Sequence, residues 1–270
     1  MNAEASRSTI TFLAGLTAAM VVGIAAGPAT ARAAAPSQLQ ASASNVTYPT
    51  NATGQTYGAA AGVPPSQEPD LILAIGTGSD GTPVTGYLVK SQLDVATGAN
   101  VQSPQQSAIW MQTPPHAGAI PLYAQDGKTV VGQFTIMADQ NVPDTFTQTC
   151  GTKGRFGPID GYSYNNYSCI AFSTGSAGSY GSIMTEADNY VNVPPGYMGA
   201  LPRVFSASGA LCIEGSWVYN PSSSNGIEAA AYRPAAYCGS GYYYSSGESR
   251  VYNGNGYDTY TSFNSPNLYL

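Results

Sequence analysis

A single histidine, four cysteines, nine basic and fifteen acidic side chains are all that this 270-residue chain offers to the common chemistries of catalysis and metal binding. Nucleophilic catalysis would have only His116 as a base near neutral pH, and His116 lies in the proline-bounded loop "TPPHAGA". There is no G-x-S-x-G elbow, the nearest miss being Ser179 in "AGSYG", so a serine or cysteine hydrolase is not expected. No C-x-x-C pair exists, which argues against a zinc site built from the four thiolates. The turns "SDG", "QDG" and "IDG" lack the alternating oxygen ligands of a calcium loop. No cofactor or metal is implied. Lysine and arginine are few, scattered and outnumbered, so the chain repels phosphate backbones and nucleic acid is not an expected partner.

One apolar run stands out, Ile10 to Ala26, preceded by Arg7 and followed by Gly27-Pro28 and the small-residue triplets up to Ala33. That order is a secretory signal peptide over 1–33, with cleavage after Ala33. A retained membrane anchor is the competing reading. No cysteine follows the run, which excludes a lipoprotein anchor. With no second apolar span and no sorting tail, the expected product is a secreted, extracellular protein without membrane association after cleavage. Cleavage removes two arginines and one glutamate and leaves a net charge of −7.

Residues 34–45 read as a flexible lead-in, 46–138 as a cysteine-free β-rich module, 139–149 as a link, and 150–270 as a second β domain. All four cysteines, Cys150, Cys169, Cys212 and Cys238, lie in this last part. In an exported chain an even number reads as two disulfides. Of three connectivities the favoured one is Cys150–Cys169 with Cys212–Cys238, each closing a short loop worth about 3 kcal/mol in chain entropy.

The stretch "LILAIGTGSDGTPVTGYLV" contains Gly76, Gly78 and Gly81 in the spacing of a dinucleotide-binding loop. A phosphate-binding loop needs a helix directly behind it, and here Thr82-Pro83 and a β-branched run follow. The glycines therefore turn a chain between two strands. In "AIPLYAQDGKTVVGQFTIMA" two strand-like runs, Ile120 to Ala124 and Thr129 to Met137, meet at Asp126-Gly127 in a hairpin. "SPQQSAIWMQ" predicts one short helix with Ser103 as N-cap and Pro104 in its first turn. Beyond Cys150 strand-length pieces recur, among them "NYVNV", "YMGALPRVF", "ALCIEGSWVYN" and "YDTYTSF", separated by turn-formers such as the Asn-Gly pairs of 253–256. The expected fold is mainly β: a small β-rich (α+β) N-terminal module, then a disulfide-stapled antiparallel β-sandwich or partly closed barrel.

The segments "EPDLILAIG", "GTPVTGYLVKSQLD" and "AIPLYAQDGKTVVGQF" resemble a module of exported Gram-positive proteins, and "GYLVKSQL" is similar to the closing strand of bacterial SH3-like wall-binding domains. The tail, "VPPGYMGALPRVFSASGALCIEGSWVYN" with "RVYNGNGYDTYTSFNSP", resembles uncharacterised secreted proteins of actinobacteria. These resemblances imply a bacterial protein acting outside the cell or at its envelope, and no catalytic residue.

Glycoside hydrolysis asks only for two carboxylates, and Glu186 with Asp188, and Glu214 and Glu228, are the acids to consider. The stronger signal is aromatic. Sixteen of twenty tyrosines follow Cys150, mixed with Gly, Ser and Asn, a composition typical of binding surfaces. Trp217, Tyr219, Tyr242, Tyr243, Tyr244, Tyr252, Tyr257 and Tyr260 are the candidate binding residues; packing within the sheets is the competing role, least so for Tyr242 to Tyr244, three in a row on a strand. The reading is a secreted non-enzymatic binding protein whose partner is a cell-wall glycan or an extracellular protein. The alternatives are a glycan-active hydrolase using a carboxylate pair and a secreted proteinase inhibitor.

Overall fold

The computed structural model describes residues 46–113, 116–140, 148–173, 178–234 and 237–269. Residues 1–45, on which the expected signal peptide and lead-in fall, and Pro115 beside His116 lie outside them. Among the described residues no helix is long and apolar enough to cross a membrane.

The chain enters with β1 (Tyr57–Gly58), β2 (Leu71–Thr77) and β3 (Pro83–Val89). Two helices follow, α1 (Lys90–Thr97) and α2 (Pro104–Gln112), then β4 (Gly118–Tyr123) and β5 (Val130–Met137). Helix α2 starts as its sequence predicts, Ser103 accepting a hydrogen bond from the Gln106 amide. Helix α1 is not anticipated; its mark is the i,i+4 pair Lys90–Asp94, 2.8 Å apart. The β4–β5 hairpin turns at Asp126-Gly127 as expected, with Gly127 at φ 68°. The glycine-rich stretch is likewise a turn between two antiparallel strands, β2 and β3. Gly76 has a further role: a side chain there would strike the Gln133 carbonyl, where β2 meets β5 and closes the first four long strands on themselves. Ile72, Leu88, Leu122, Phe134 and Ile136 fill the space so enclosed.

Next come β6 (Gln148–Cys150), β7 (Gly154–Ile159), β8 (Tyr162–Ser173) and β9 (Gly178–Ala187). They form a five-stranded antiparallel sheet completed by β14 (Gly226–Pro234) on the free side of β9. The remaining strands are β10 (Met198–Leu201), β11 (Arg203–Ser206), β12 (Leu211–Gly215), β13 (Val218–Tyr219), β15 (Tyr242–Ser245), β16 (Glu248–Tyr252), β17 (Tyr257–Thr261) and β18 (Leu268–Tyr269). They alternate between two sheets. β10, β13, β16 and β17 make a four-stranded sheet, while β11, β12, β15 and β18 extend the nine-stranded sheet begun by β1 to β5.

Three of these changes of sheet are abrupt. β10 becomes β11 across Pro202 alone, β12 becomes β13 across Ser216-Trp217, and β15 becomes β16 across Ser246-Gly247. The runs "YMGALPRVF" and "ALCIEGSWVYN" are therefore each two strands in two sheets, not one. Proline has no amide to give a ladder and sits naturally at such a corner. The "NYVNV" run is not a strand either: Asp188–Tyr190 is a 3-10 turn in which Asn189 and Tyr190 both have left-handed backbones.

The five-stranded sheet packs across the other two. Ile183 and Ala229 meet Ala200 and Val218 of the four-stranded sheet, and Ile170 and Ala231 meet Val204, Ile213 and Tyr243 of the nine-stranded one. The fold is mainly β and sandwich-like, as the composition predicts, with disulfides Cys150–Cys169 and Cys212–Cys238 in the favoured pairing. Residues 46–138 and 150–270 do not build separate sheets. β12 pairs in parallel with both β2 and β5, so one sheet runs through both segments.

Candidate functional site

The eight candidate aromatic residues do not share one surface. Trp217 and Tyr219 are 1% exposed and Tyr243 is 2% exposed, so none of the three presents a face to a visitor. Trp217 is buried because its segment turns the corner from β12 to β13 and the ring slides beneath the Arg250 guanidinium, 4.3 Å away. Tyr243 points inward to the Cys238 side of the disulfide and donates its hydroxyl to the Cys238 carbonyl. Tyr244 is half-buried against Phe205, and Tyr260 stacks on Phe156 at 4.2 Å. Tyr252 and Tyr257 belong to an edge-to-face row with Tyr197, their hydroxyls spent on the carbonyls of Gly254 and Gly196. Only Tyr242 is mainly exposed, at the rim of the nine-stranded sheet beside Tyr269. The strand period explains this: Tyr242 and Tyr244 share one face of β15 and Tyr243 takes the other.

The acids are brought together more than the rings. Glu186, Asp188 and Glu228 line one open groove of about 480 Å³ on the outer face of the five-stranded sheet. In the β9–β14 ladder Gly226 lies opposite Glu186 and Glu228 opposite Met184, so the two glutamates stand diagonally on one face. Met184 and Gly226 leave the floor low, and Asn165, Asn189 and Asn225 add amides to the walls. Lys153 closes one side, its ammonium 2.7 Å from Glu186 and 4.8 Å from the centre of the Tyr167 ring. The hydrogen bond it gives Glu186 pushes the lysine pKa up. Burial, then the Glu186 charge, pushes the Tyr167 hydroxyl up as well, keeping it neutral and able to donate. Arg155 pairs with Asp188 at 2.5 Å and Asn165 reaches the same carboxylate at 3.4 Å.

Tyr190 forms the rim. It is 88% exposed, the most exposed of the large apolar side chains described, and its backbone sits at φ 57°. Two consecutive non-glycine residues in the left-handed region are costly, and such strain collects at ligand-binding turns. Sequence reasoning passes over Tyr190 because "DNYVNV" has strand-like composition. The available signal is its context: Asn189 and Asn192 flank Tyr190, next to Glu186 and Asp188.

Glu214, the remaining acid, lies elsewhere. It is almost fully buried where β12 leaves the nine-stranded sheet, its carboxylate accepting from Arg203 Nε at 2.9 Å. Arg203 also binds Glu248 and, at 2.6 Å, Glu68. His116 is a packing residue: its ring stacks 3.4 Å over Trp110, and Nε2 donates to the Trp110 carbonyl at 2.6 Å. Among the described residues no three His, Cys, Asp or Glu side chains converge to hold a metal ion.

Neither a protein-family model, nor a curated protein, nor a solved structure matches this chain. The functional reading therefore rests on the groove itself.

Proposed function

We propose that this is an exported, non-enzymatic binding protein that holds a glycan in the Tyr190 groove. The observation that carries the reading is Tyr190, a bare ring on a strained turn beside a shallow trough of amides, carboxylates and a lysine. Sugar rings present an apolar face and a rim of hydroxyls. A flat aromatic supplies the first contact, while fixed acceptors (Glu186, Asp188, Glu228) and donors (Lys153, the asparagine amides) match the second. The apolar N-terminal run and the two disulfides support an extracellular setting, where wall polysaccharides are the abundant polymers.

The test is retention of protein 34–270 on purified cell walls and on insoluble polysaccharides. Removing the Tyr190 ring forfeits roughly 100 Å² of apolar contact, a few kcal/mol at most, so Tyr190→Ala weakens retention about tenfold or more. Absence of retention on every glycan refutes the reading. A hydrolase remains the second reading because Glu186 and Glu228 share the groove. Sugar release from the same polysaccharides, abolished by Glu228→Gln, establishes it in place of simple binding.

A further inference from the structure

Arg203, Glu214 and Glu248 each stand at one of the three abrupt changes of sheet: Arg203 opens β11 after Pro202, Glu214 precedes the β12–β13 corner, and Glu248 opens β16 after Gly247. All three are almost fully buried. Around them lies a cavity of about 100 Å³, enough for several waters, with Glu68, Lys90, Asp94 and Arg250 also in its wall. Glu68 comes from the segment before β2, Lys90 and Asp94 from α1, and Arg250 from β16, two residues beyond Glu248. Lys90 lies 3.6 Å from Glu68 and 2.8 Å from Asp94. Arg250 is turned toward Thr259, the Val101 carbonyl and the Tyr219 hydroxyl, so it offers Glu248 charge but no hydrogen bond.

The charges at this seam do not balance. Asp94 is half-exposed and paired with Lys90, so inside the seam Glu68, Glu214 and Glu248 are left facing Arg203 and Arg250, one acid too many among almost fully buried side chains. All three carboxylates converge on a single guanidinium. A buried surplus charge is strongly unfavourable, and the cheapest relief is a proton on a carboxylate.

We propose that the seam is a proton-operated clasp: one proton on the Glu214–Glu248 pair locks the three crossovers, and its loss leaves a buried negative charge that loosens the joint between the nine- and four-stranded sheets. Burial pushes both the Glu214 and the Glu248 carboxyl up, against the pull of Arg203, Glu214 the higher at about 8, so the pair holds its first proton through neutral pH. In the unfolded chain both return to the ordinary glutamate range near 4.3. The folded state therefore holds a proton that the unfolded state has released. Its contribution is full below about pH 4 and is lost as pH rises through 7 to 8. The clasp is independent of the glycan reading. The one histidine packs on Trp110 and is not part of the cavity wall. Asp139, raised by its own burial beside Ala230, is the other described carboxyl to watch.

The experiment is urea unfolding of the folded chain between pH 5 and 8.5, for the unaltered protein, Glu214→Gln, Glu248→Gln and, as a control, Asp139→Asn. One bound proton makes the unfolding equilibrium constant of the unaltered protein rise as much as tenfold per pH unit at the steepest point. In Glu248→Gln or Glu214→Gln the amide is permanently neutral and the rise is largely lost, while Asp139→Asn retains it. Should a glutamine variant fail to fold, infrared spectra of carboxyl-labelled protein decide: a protonated carboxylic band present at pH 6 and gone by pH 9 supports the clasp. Stability that stays flat or increases from pH 5 to 8.5, a slope unchanged in both glutamine variants, or no protonated carboxyl at pH 6 overturns it.

Discussion

Arg203 and Glu248 form a buried ion pair between two strands at the points where each passes from one sheet to another. Leu201, two residues before Arg203, lies directly opposite Glu248 in the β10–β16 ladder. The ion pair thus closes the corner that Pro202 opens. Ser246 adds a backbone bond to the Arg203 carbonyl at 3.1 Å, so the two crossings are tied by main chain and by charge.

Arg203→Ala is expected to be the most damaging charge substitution in the molecule. It strips Glu68, Glu214 and Glu248 of their shared partner while leaving them buried, a loss of about 3–5 kcal/mol near neutral pH. The loss shrinks near pH 5, where the orphaned acids take up protons. Arg203→Lys does not restore stability, since one ammonium cannot copy a guanidinium that meets three carboxylates. Denaturant unfolding at two pH values measures both effects.

The disulfides should differ in their resistance to reduction. Cys150 is exposed, whereas Cys212 and Cys238 are enclosed by Ile170, Val204, Ile213 and Tyr243. Dithiothreitol under native conditions, followed by alkylation and mass spectrometry, is expected to label Cys150 and Cys169 first. Cys212 and Cys238 react only once the protein unfolds. Replacing either pair with serine costs about 3 kcal/mol, given closed loops of 19 and 26 residues.

Among the aromatic residues, binding and folding should separate cleanly. Tyr190→Ala and Tyr242→Ala remove exposed rings and leave unfolding within about 0.5 kcal/mol of the unaltered protein. Only Tyr190→Ala reduces glycan retention. Trp217→Ala empties a core position and costs about 3–5 kcal/mol, so any binding it loses is lost through unfolding. Parallel melting curves and pull-downs distinguish the three.

At the acid end the β4–β5 hairpin is the place to look. Asp126 accepts from the amides of Lys128 and Thr129 and from the Thr129 hydroxyl, which holds its carboxyl down to about 2. A depressed carboxyl contributes stability above its ordinary value near 4, and that contribution fades as pH falls through 2. Hydrogen exchange at the Thr129 amide should accelerate in that range, and in Asp126→Ala it is fast throughout.

Local signals were legible wherever the chain makes its structure from near neighbours. Asp126-Gly127 names a hairpin, Ser103-Pro104 a helix start, and Thr82-Pro83 rules out a phosphate loop, because each acts within a few residues. Helix α1 escaped since its first turn has no side-chain cap and it follows a strand without a break. Glu186 and Glu228, forty-two positions apart, become neighbours only through the β9–β14 register, and Tyr190 stands out only once its exposure and backbone are seen.

By itself the sequence determined that this is a disulfide-bridged β protein, poor in the bases that catalysis needs, since composition and turn chemistry act locally and require no fold to be read. Tertiary structure alone decided which side each ring faces, where a strand changes sheet, and that Glu68, Arg203, Glu214 and Glu248 share one cavity. Burial and charge pairing are properties of what a residue meets across the sheets, and segments separated by 11 to 180 positions meet there for the first time on folding.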